Sequence, residues 1–338
     1  DKELSMNAKI TVIVPIYNVE SYIDKCFKSL EKQTFKEFEV WAVDDGSPDN
    51  SKKIVENWVK KDQRFKLILK ENGGYGSVLE MCIQNLKTKY FLICDPDDWL
   101  EKDALYKLYN FAQQNNVDIT VGDKYNVYSH NNKTKAIYVN TFDTKLNIVP
   151  KHVYTNFNDI QKFALGDPSP HAKLYKTKIA KNIKFPHKVS YTDFVLYIVS
   201  LSNAKSIAYY NEALADYLIE RVGNTRTDVR KSIINDYTIC WQTVFDQINK
   251  DKDNILMYRL YNYLEYVLSE YVRTGSTDFK DKYGKEIIDK FTELRKYKSD
   301  ISIEQLSLSK KILFIGLMHK KTYTFFAKLY CSYKKVNR

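Results

Sequence analysis

The stretch Tyr90-Phe-Leu-Ile-Cys-Asp-Pro-Asp-Asp-Trp-Leu100 decides how this chain is read. Four apolar residues, Phe91 to Cys94, follow the turn-like Lys87-Thr-Lys89 and suit a strand buried on both faces of a parallel sheet. That strand runs straight into three carboxylates, Asp95, Asp97 and Asp98. In open α/β sheets ligands gather just beyond the carboxyl ends of the strands, which is where these acids fall. Like charges this close repel unless something positive neutralises them. A divalent cation bound by hard oxygen ligands does so, and Asp-x-Asp presents two carboxylates on one side of an extended segment. An isolated Asp-x-Asp is more often a solvated acidic turn, so the rest of the chain has to decide.

Upstream, Ile10-Thr-Val-Ile-Val-Pro15 is a β-branched strand stopped by proline, leading into Ile16-Tyr-Asn-Val-Glu20. The spacing predicts an amphipathic helix from about Glu20 to Gln33, with Tyr22, Cys26, Phe27 and Leu30 on one side. Phe38–Val43 is a second strand, followed at once by Asp44-Asp-Gly-Ser-Pro48; Asp49-Asn-Ser51 caps the next helix. Phe65–Leu69 is a third strand, and Asn72-Gly-Gly-Tyr-Gly-Ser77 is a glycine turn opening a helix to about Leu86. Strand, helix, strand, helix at this spacing means a mainly parallel sheet with helices on both faces. The turns at Tyr17-Asn18, Asp44–Ser47 and Asp95–Asp98 then lie on one sheet edge. One polar turn is ordinary; three on one edge build a site.

Downstream, Lys102 to about Asn115 reads as a helix, Val117–Val121 as a strand, and 124–150 as a polar hairpin or loop excursion. Gly166-Asp-Pro-Ser-Pro-His-Ala-Lys-Leu-Tyr175 returns to order, and Phe185-Pro-His-Lys-Val-Ser-Tyr-Thr-Asp-Phe194 follows about a helix later. From about Lys231 the pattern turns helical, with a tyrosine-dense helix around Leu256–Val272. The domain reading is therefore 1–228, with halves at about 8–123 and 124–228, and a helical appendage over 229–338.

The 338 residues are 44% hydrophobic and 14% aromatic, which describes a folded chain with room for one large domain and an appendage. Five scattered cysteines without Cys-x-x-Cys spacing read as buried thiols in a reducing compartment. The residues before Met6 are set aside as an added or disordered end, and no signal peptide is read. The apolar run Ile312–Met318 is too short to span a bilayer. A cytoplasmic chain, or one resting on the inner face of the membrane, is expected. The net charge of +11 calls for an anionic partner. After Glu304 there is no acid, while eight basic residues interleave with Leu313, Phe314, Leu317, Tyr323, Phe325, Phe326, Leu329 and Tyr330. A basic, aromatic, amphipathic end suits an anionic membrane surface; the alternatives are packing on the core or on a second subunit of a homo-oligomer. Nucleic acid is set aside, because no segment resembles a recognition helix or an RNA-stacking motif.

The pattern Val-Pro-x-Tyr-Asn-x-Glu, then Val-Asp-Asp-Gly-Ser, then Asn-Gly-Gly, then Asp-x-Asp-Asp-Trp resembles the family 2 glycosyltransferases of the GT-A fold, over roughly the first third of the chain. The resemblance implies inverting transfer of a sugar from a nucleotide donor, usually UDP-linked, with Mn²⁺ or Mg²⁺, onto a lipid-linked or protein-linked glycan. By position, Pro15, Tyr17 and Glu20 resemble residues shaping the nucleobase and ribose pocket, and one of Asp44 and Asp45 the residue bonding the base. Asp95 and Asp97 match the motif bridging ribose and metal, with Asp97 the direct ligand. Asn72, Gly73 and Gly74 either let backbone approach the donor or simply permit a tight turn. In similar enzymes Lys-Leu-Tyr precedes a Phe-Pro element and a Glu-Asp pair whose Asp is the catalytic base; here the pair is Thr192-Asp193. Asp193 is thus the expected base, with a helix N-cap as its bland alternative. A carboxylate at a helix N-terminus is also expected to ionise readily. Lys173 and Arg221 are candidate diphosphate or acceptor contacts, and His171, Asp98 and Trp99 candidate acceptor residues.

Two departures matter. Leu79-Glu80 stands where relatives often carry Arg-Asn, and Thr192 stands where they carry Glu. These give some footing to a catalytically inactive relative that binds or scaffolds glycans. A nucleotidyltransferase would need a glycine-rich, basic loop after the first strand, and Pro15-Ile-Tyr-Asn18 is not one.

Overall fold

The structure, a computed structural model, describes residues 8–130, 133–219, 230–251, 254–276, 279–303 and 306–336. The chain divides into two compact units, one of Asp1–Lys188 with Thr192–Asn224, the other of Val189–Tyr191 with Thr225–Arg338.

The first unit is built on a mixed sheet. Strand β1 (Ile10–Ile16) pairs in parallel with β2 (Phe38–Asp44) on one side and β4 (Tyr90–Ile93) on the other, and β3 (Phe65–Leu69) continues in parallel beyond β2. All seven residues of β1 are buried, as the β-branched run demands of a central strand. Each such aliphatic side chain contributes roughly 1.5–3 kcal/mol when fully buried. Helices α1 (Ile23–Glu31), α2 (Ser51–Lys61) and α3 (Tyr75–Asn85) make the crossovers. Phe27 of α1 and Trp58 of α2 meet Phe65 of β3, with centroids 4.9 and 5.6 Å from its ring, so the expected apolar faces form one core.

Beyond β4 the order departs from a simple parallel series. After β5 (Trp99–Leu100), α4 (Ala104–Asn115), β6 (Ile119–His130), β7 (Lys133–Val139), β8 (Val153–Tyr154) and α5 (Phe157–Lys162), strand β9 (Lys173–Lys176) inserts between β4 and β6, antiparallel to both. Helices α6 (Thr177–Ala180) and α7 (Asp193–Asn203) lead to β10 (Ile207–Leu218), parallel to β6. The hairpin reading of 124–150 corresponds to β6 and β7, which pair antiparallel over Lys124–Val139. Helix α1 starts later than expected. The Glu20 backbone and carboxylate are engaged with Asp49 and Asn50, and Val19 instead receives a turn bond from Tyr22 N–H. Helix α4 starts at Ala104 because Trp99 and Leu100 are drawn into β5 against β10.

The second unit is helical: α8 (Ile233–Gln247), α9 (Asn254–Arg273), α10 (Lys282–Leu294), α11 (Leu308–Leu317) and α12 (Tyr323–Val336). Trp241 is fully buried and donates its indole N–H to Leu260 O at 3.1 Å. Tyr261 meets Phe314 at 4.7 Å, Phe291 meets Tyr323 at 5.2 Å, and Gly316 lies against the Phe326 ring.

Candidate active site

The parallel strands deliver their polar turns to one edge, and hydrogen bonds sew the first three turns together. Asn18 N–H donates to Ser47 Oγ (3.3 Å) and Val19 N–H to Ser51 Oγ (3.3 Å). Glu20 N–H donates to Asp49 (2.9 Å), while the Glu20 carboxylate accepts from Asn50 N–H (2.8 Å). Pro15 is buried as the last support of this loop, and Tyr17 stands 52% exposed, so it is not a core residue. Asp44 accepts from Ser47 N–H at 2.7 Å, a turn-stabilising bond.

Asp45 does a different job. Its buried carboxylate accepts from Gly73 N–H (3.0 Å), Gly74 N–H (2.7 Å) and the Lys70 ammonium. The glycine turn therefore closes on the second strand's turn, and Gly46 (φ +74) lies against Asn72. The same glycines carry a second segment. Lys188 N–H donates to Gly73 O at 2.7 Å, and a Cβ on Gly74 (φ +80) would come 2.9 Å from the Lys188 backbone. A Cβ on Gly76 would meet Pro186 O at 2.2 Å. Glu80 accepts from His187 at 2.8 Å and pairs with Lys184, while Leu79 faces the core. In this chain, then, Glu80 anchors the 184–188 segment and Leu79 the core.

The fourth turn is crowded with charge. Tyr75 donates its hydroxyl to Asp95 at 2.8 Å. Burial, then Asp98 and Asp97, hold the Asp95 carboxyl well above the usual carboxylate range, with Asp193 adding to the push. Burial raises Tyr75 in the same way, followed by Asp95, Asp193 and Asp97. One hydroxyl thus feels the acids of the fourth turn and the expected base. Asp98 accepts from Leu218 N–H (2.8 Å) and contacts His171 Nε2 (2.7 Å). Burial, then Lys124, keeps His171 well below its usual pKa and hence neutral, and its Nδ1 is buried without a hydrogen-bond partner. Among the described residues, ligand atoms of Asp95, Asp98 and His171 lie within 4.8 Å of one another. Oxygen donors with one neutral imidazole suit Mn²⁺ or Mg²⁺. The unpartnered His171 nitrogen and the crowded carboxylates fit a cation here.

The second half of the sheet brings in Asp193, the expected base. Asp193 is the first residue of α7 and not its cap; Thr192 takes that place, with no side-chain capping bond. Burial, then Asp167, pushes the Asp193 carboxyl up to about 6, against the pull of Phe194 N–H and Lys173. The expected easy ionisation at a helix N-terminus is therefore outweighed by desolvation. Lys173 is fully buried, donates to Ser169 O, lies 5.1 Å from the Tyr197 ring, and is lowered to about 8 by burial. Lys124 pairs with Asp167, whose carboxyl burial pushes up but Lys124 and Lys173 together hold well below the usual carboxylate range.

The structure thus gathers Asp95, Asp98, His171 and Asp193 with Asp97 beside them, and gathers Glu20, Asp44, Asp45 and Asn72 along the neighbouring rim. Trp99 lies in β5 opposite Asp216, with the Lys25 ammonium 3.1 Å from its ring. Arg221 lies outside the described residues. Sequence reasoning missed Tyr75 and Lys70. Both flank the glycine turn at the expected edge, and that position was the available signal.

A profile of Glycosyl transferase family 2 matches residues 11–184, just over half of the chain. Glycosyltransferase GlyA of Streptococcus pneumoniae is 31% identical over 236 residues, 66% of this chain and 32% of GlyA, so the matched part spans about a third of that relative. Staphylococcus aureus TarS 1-349, solved in complex with UDP-GlcNAc, superimposes with a TM-score of 0.70 at 20% identity, over 98% of this chain and 92% of that one. The mannosyltransferase PcManGT of Pyrobaculum calidifontis, solved with GDP-Man and Mn²⁺, gives 0.56 at 14% identity, over 99% and 88%. These two show the same fold. The chain belongs to glycosyl transferase family 2 and has the GT-A fold.

Proposed function

We propose that this chain is an inverting transferase that moves a hexose or N-acetylhexosamine from a UDP-sugar to a hydroxyl of a glycan acceptor. The observation that carries the reading is the position of Asp193, close enough to raise Asp95 and Tyr75 and itself poised at about 6. A base that is ionised at neutral pH yet desolvated takes a proton well. The acceptor hydroxyl gives its proton to Asp193 as its oxygen attacks the anomeric carbon, and the sugar–phosphate bond breaks on the opposite face. Tyr17 and the Asp44–Asp45 turn hold the nucleoside, with Asn72, Gly73 and Gly74 beside it. Pro15 and Glu20 keep that loop in place. Lys173 steadies the charge of Asp193 and Asp167 from beneath. Asp97 and Asp95 would hold Mn²⁺ or Mg²⁺, with His171 close by; when bound, the cation neutralises charge on the departing diphosphate.

The test is a thermal-shift panel of UDP, GDP, CDP and dTDP, each with Mn²⁺ or EDTA. At a hundred times its dissociation constant a ligand stabilises by about 2.7 kcal/mol. A shift with UDP that needs Mn²⁺, followed by UDP-sugar turnover, is the expected result. Silence with every nucleotide would point to the inactive, glycan-binding relative.

We place the transferase in the first 228 residues and the helical appendage in 229–338. The last two helices are proposed to rest on the inner face of an anionic membrane. Helix α11 exposes Leu308 (75%), Ile312 and Ile315, and α12 exposes Phe325 (66%), Leu329 and Tyr333, each set at helical spacing and accompanied by lysines. Among the described residues no helix is long and apolar enough to cross a membrane. Truncation at about Ser309 is expected to weaken co-sedimentation with anionic vesicles; equal binding with and without the tail would remove the idea.

A further inference from the structure

At the sheet edge opposite the polar turns, the residues entering β4 and those leaving β9 meet around an open groove of about 320 Å³. Its walls carry Lys87, Lys89, Lys176, Lys178 and Lys181. Lys176 is accounted for: it is buried, pairs with Asp118 at 2.9 Å and donates to Asn116 O at 2.9 Å. The other four are exposed, and none has a carboxylate partner among the described residues. Lys89 donates only to Gln113, and burial, then Lys176 and Lys178, holds its ammonium below the usual lysine range. Four unneutralised ammonium groups around one concave surface make a positive focus with no internal counter-charge.

The neutral polar groups of the groove are already in use. Thr88 Oγ1 bonds Thr11 and Tyr90 O, Thr177 Oγ1 donates to Thr88 O, and Asn116 Oδ1 accepts from Lys176. Nothing is left to enclose and orient a single phosphate. What remains is diffuse, open and cationic, which suits a chain of negative charges lying along it. We propose that this groove binds a polyanionic stretch of the acceptor, a phosphate-bearing glycan or polyol chain, remote from the point of transfer. The proposal rests on the transferase reading. Lys89 and Asp95 bracket the buried strand β4 six residues apart, roughly 20 Å of extended chain, so an acceptor must be longer than that span to pass over the surface and reach both. Anchoring one stretch raises the effective concentration of its next hydroxyl at the base.

The experiment compares the full chain with a groove variant (Lys87→Gln, Lys89→Gln, Lys178→Gln, Lys181→Gln) and a charge-matched control on exposed α2 lysines and their neighbour (Lys36→Gln, Lys52→Gln, Lys53→Gln, Lys60→Gln). Binding of a long linear polyphosphate is measured across a salt series, with inorganic phosphate as competitor. The expected result is a loss of about tenfold or more and a shallower salt slope in the groove variant, with the control close to the parent. Equal losses in both variants, or none in either, would overturn the proposal. Displacement by inorganic phosphate at matched phosphate concentration would overturn the chain-binding reading. The UDP–Mn²⁺ thermal shift is run on all three proteins. Its absence from the parent would sink the transferase reading while leaving the polyphosphate result to judge the groove.

Discussion

The two ends of the same rim are built on opposite electrostatic terms. At the turns after β1, β2 and β3 the acids are satisfied: Asp45 accepts from two backbone N–H groups and Lys70, Asp44 from Ser47, and Glu20 from Asn50. After β4 the acids are stacked against one another, with Asp95 held well above its usual range by burial and by Asp98 and Asp97. One end is rigid because its charges are paired. The other is tense because buried carboxylates crowd one another there, and it is there that the proposed cation, diphosphate and attacking hydroxyl would meet. Unfavourable electrostatics kept inside a well-bonded frame mark a site prepared for a charged ligand.

Removing the base tests the tense end hardest. Asp193→Asn is expected to lower kcat by about a thousandfold while UDP–Mn²⁺ binding is retained. In the parent, kcat/KM should fall as pH drops through about 6, because the carboxyl must be ionised to accept a proton and its pKa sits there. A variant of full activity, or a profile flat down to pH 5, would break the assignment. At the satisfied end, Lys70→Met leaves the buried Asp45 charge with backbone donors alone. A cost of about 2 kcal/mol is expected, a fall in Tm of roughly 5 °C. The smallest effect carries the opposite sign. The folded carboxyl of Asp95 lies above its unfolded value, so its ionised form costs stability above the unfolded pKa, and Asp95→Asn should raise the Tm of metal-free protein by roughly 2–4 °C. The same change should erase the Mn²⁺-dependent shift. A fall in Tm would show that the Tyr75 hydrogen bond outweighs the burial and repulsion at Asp95, and the contrast between the two ends would disappear.

The strands and turns of the first half were legible because their signals are local: β-branched runs, a proline stop, glycines and acids at strand ends. The crossing of the two halves was not. His171 meets Asp98 across 73 residues of chain, and only the antiparallel insertion of β9 between β4 and β6 brings them together. Asp193 was legible as a residue, and its ease of ionisation was misjudged. The helix N-terminus visible in the sequence favours ionisation, whereas the burial that opposes it depends on everything packed around α7. The late start of α1 was likewise hidden, since Glu20 is engaged by Asp49 and Asn50 some thirty residues on.

The seating of Pro186 on Gly76 and of Lys188 on Gly73 has a practical consequence for anyone recombining such enzymes. An acceptor half taken from a relative brings its own 184–193 segment, and that segment fits only a glycine turn of matching depth. A chimera cut between the two halves therefore inherits a mismatched join, with Asp193 displaced even though every candidate residue is present. Exchanging 72–80 and 184–193 as one block keeps the two surfaces together. Functional grafts should tolerate that join far better than one placed at the apparent midpoint of the domain.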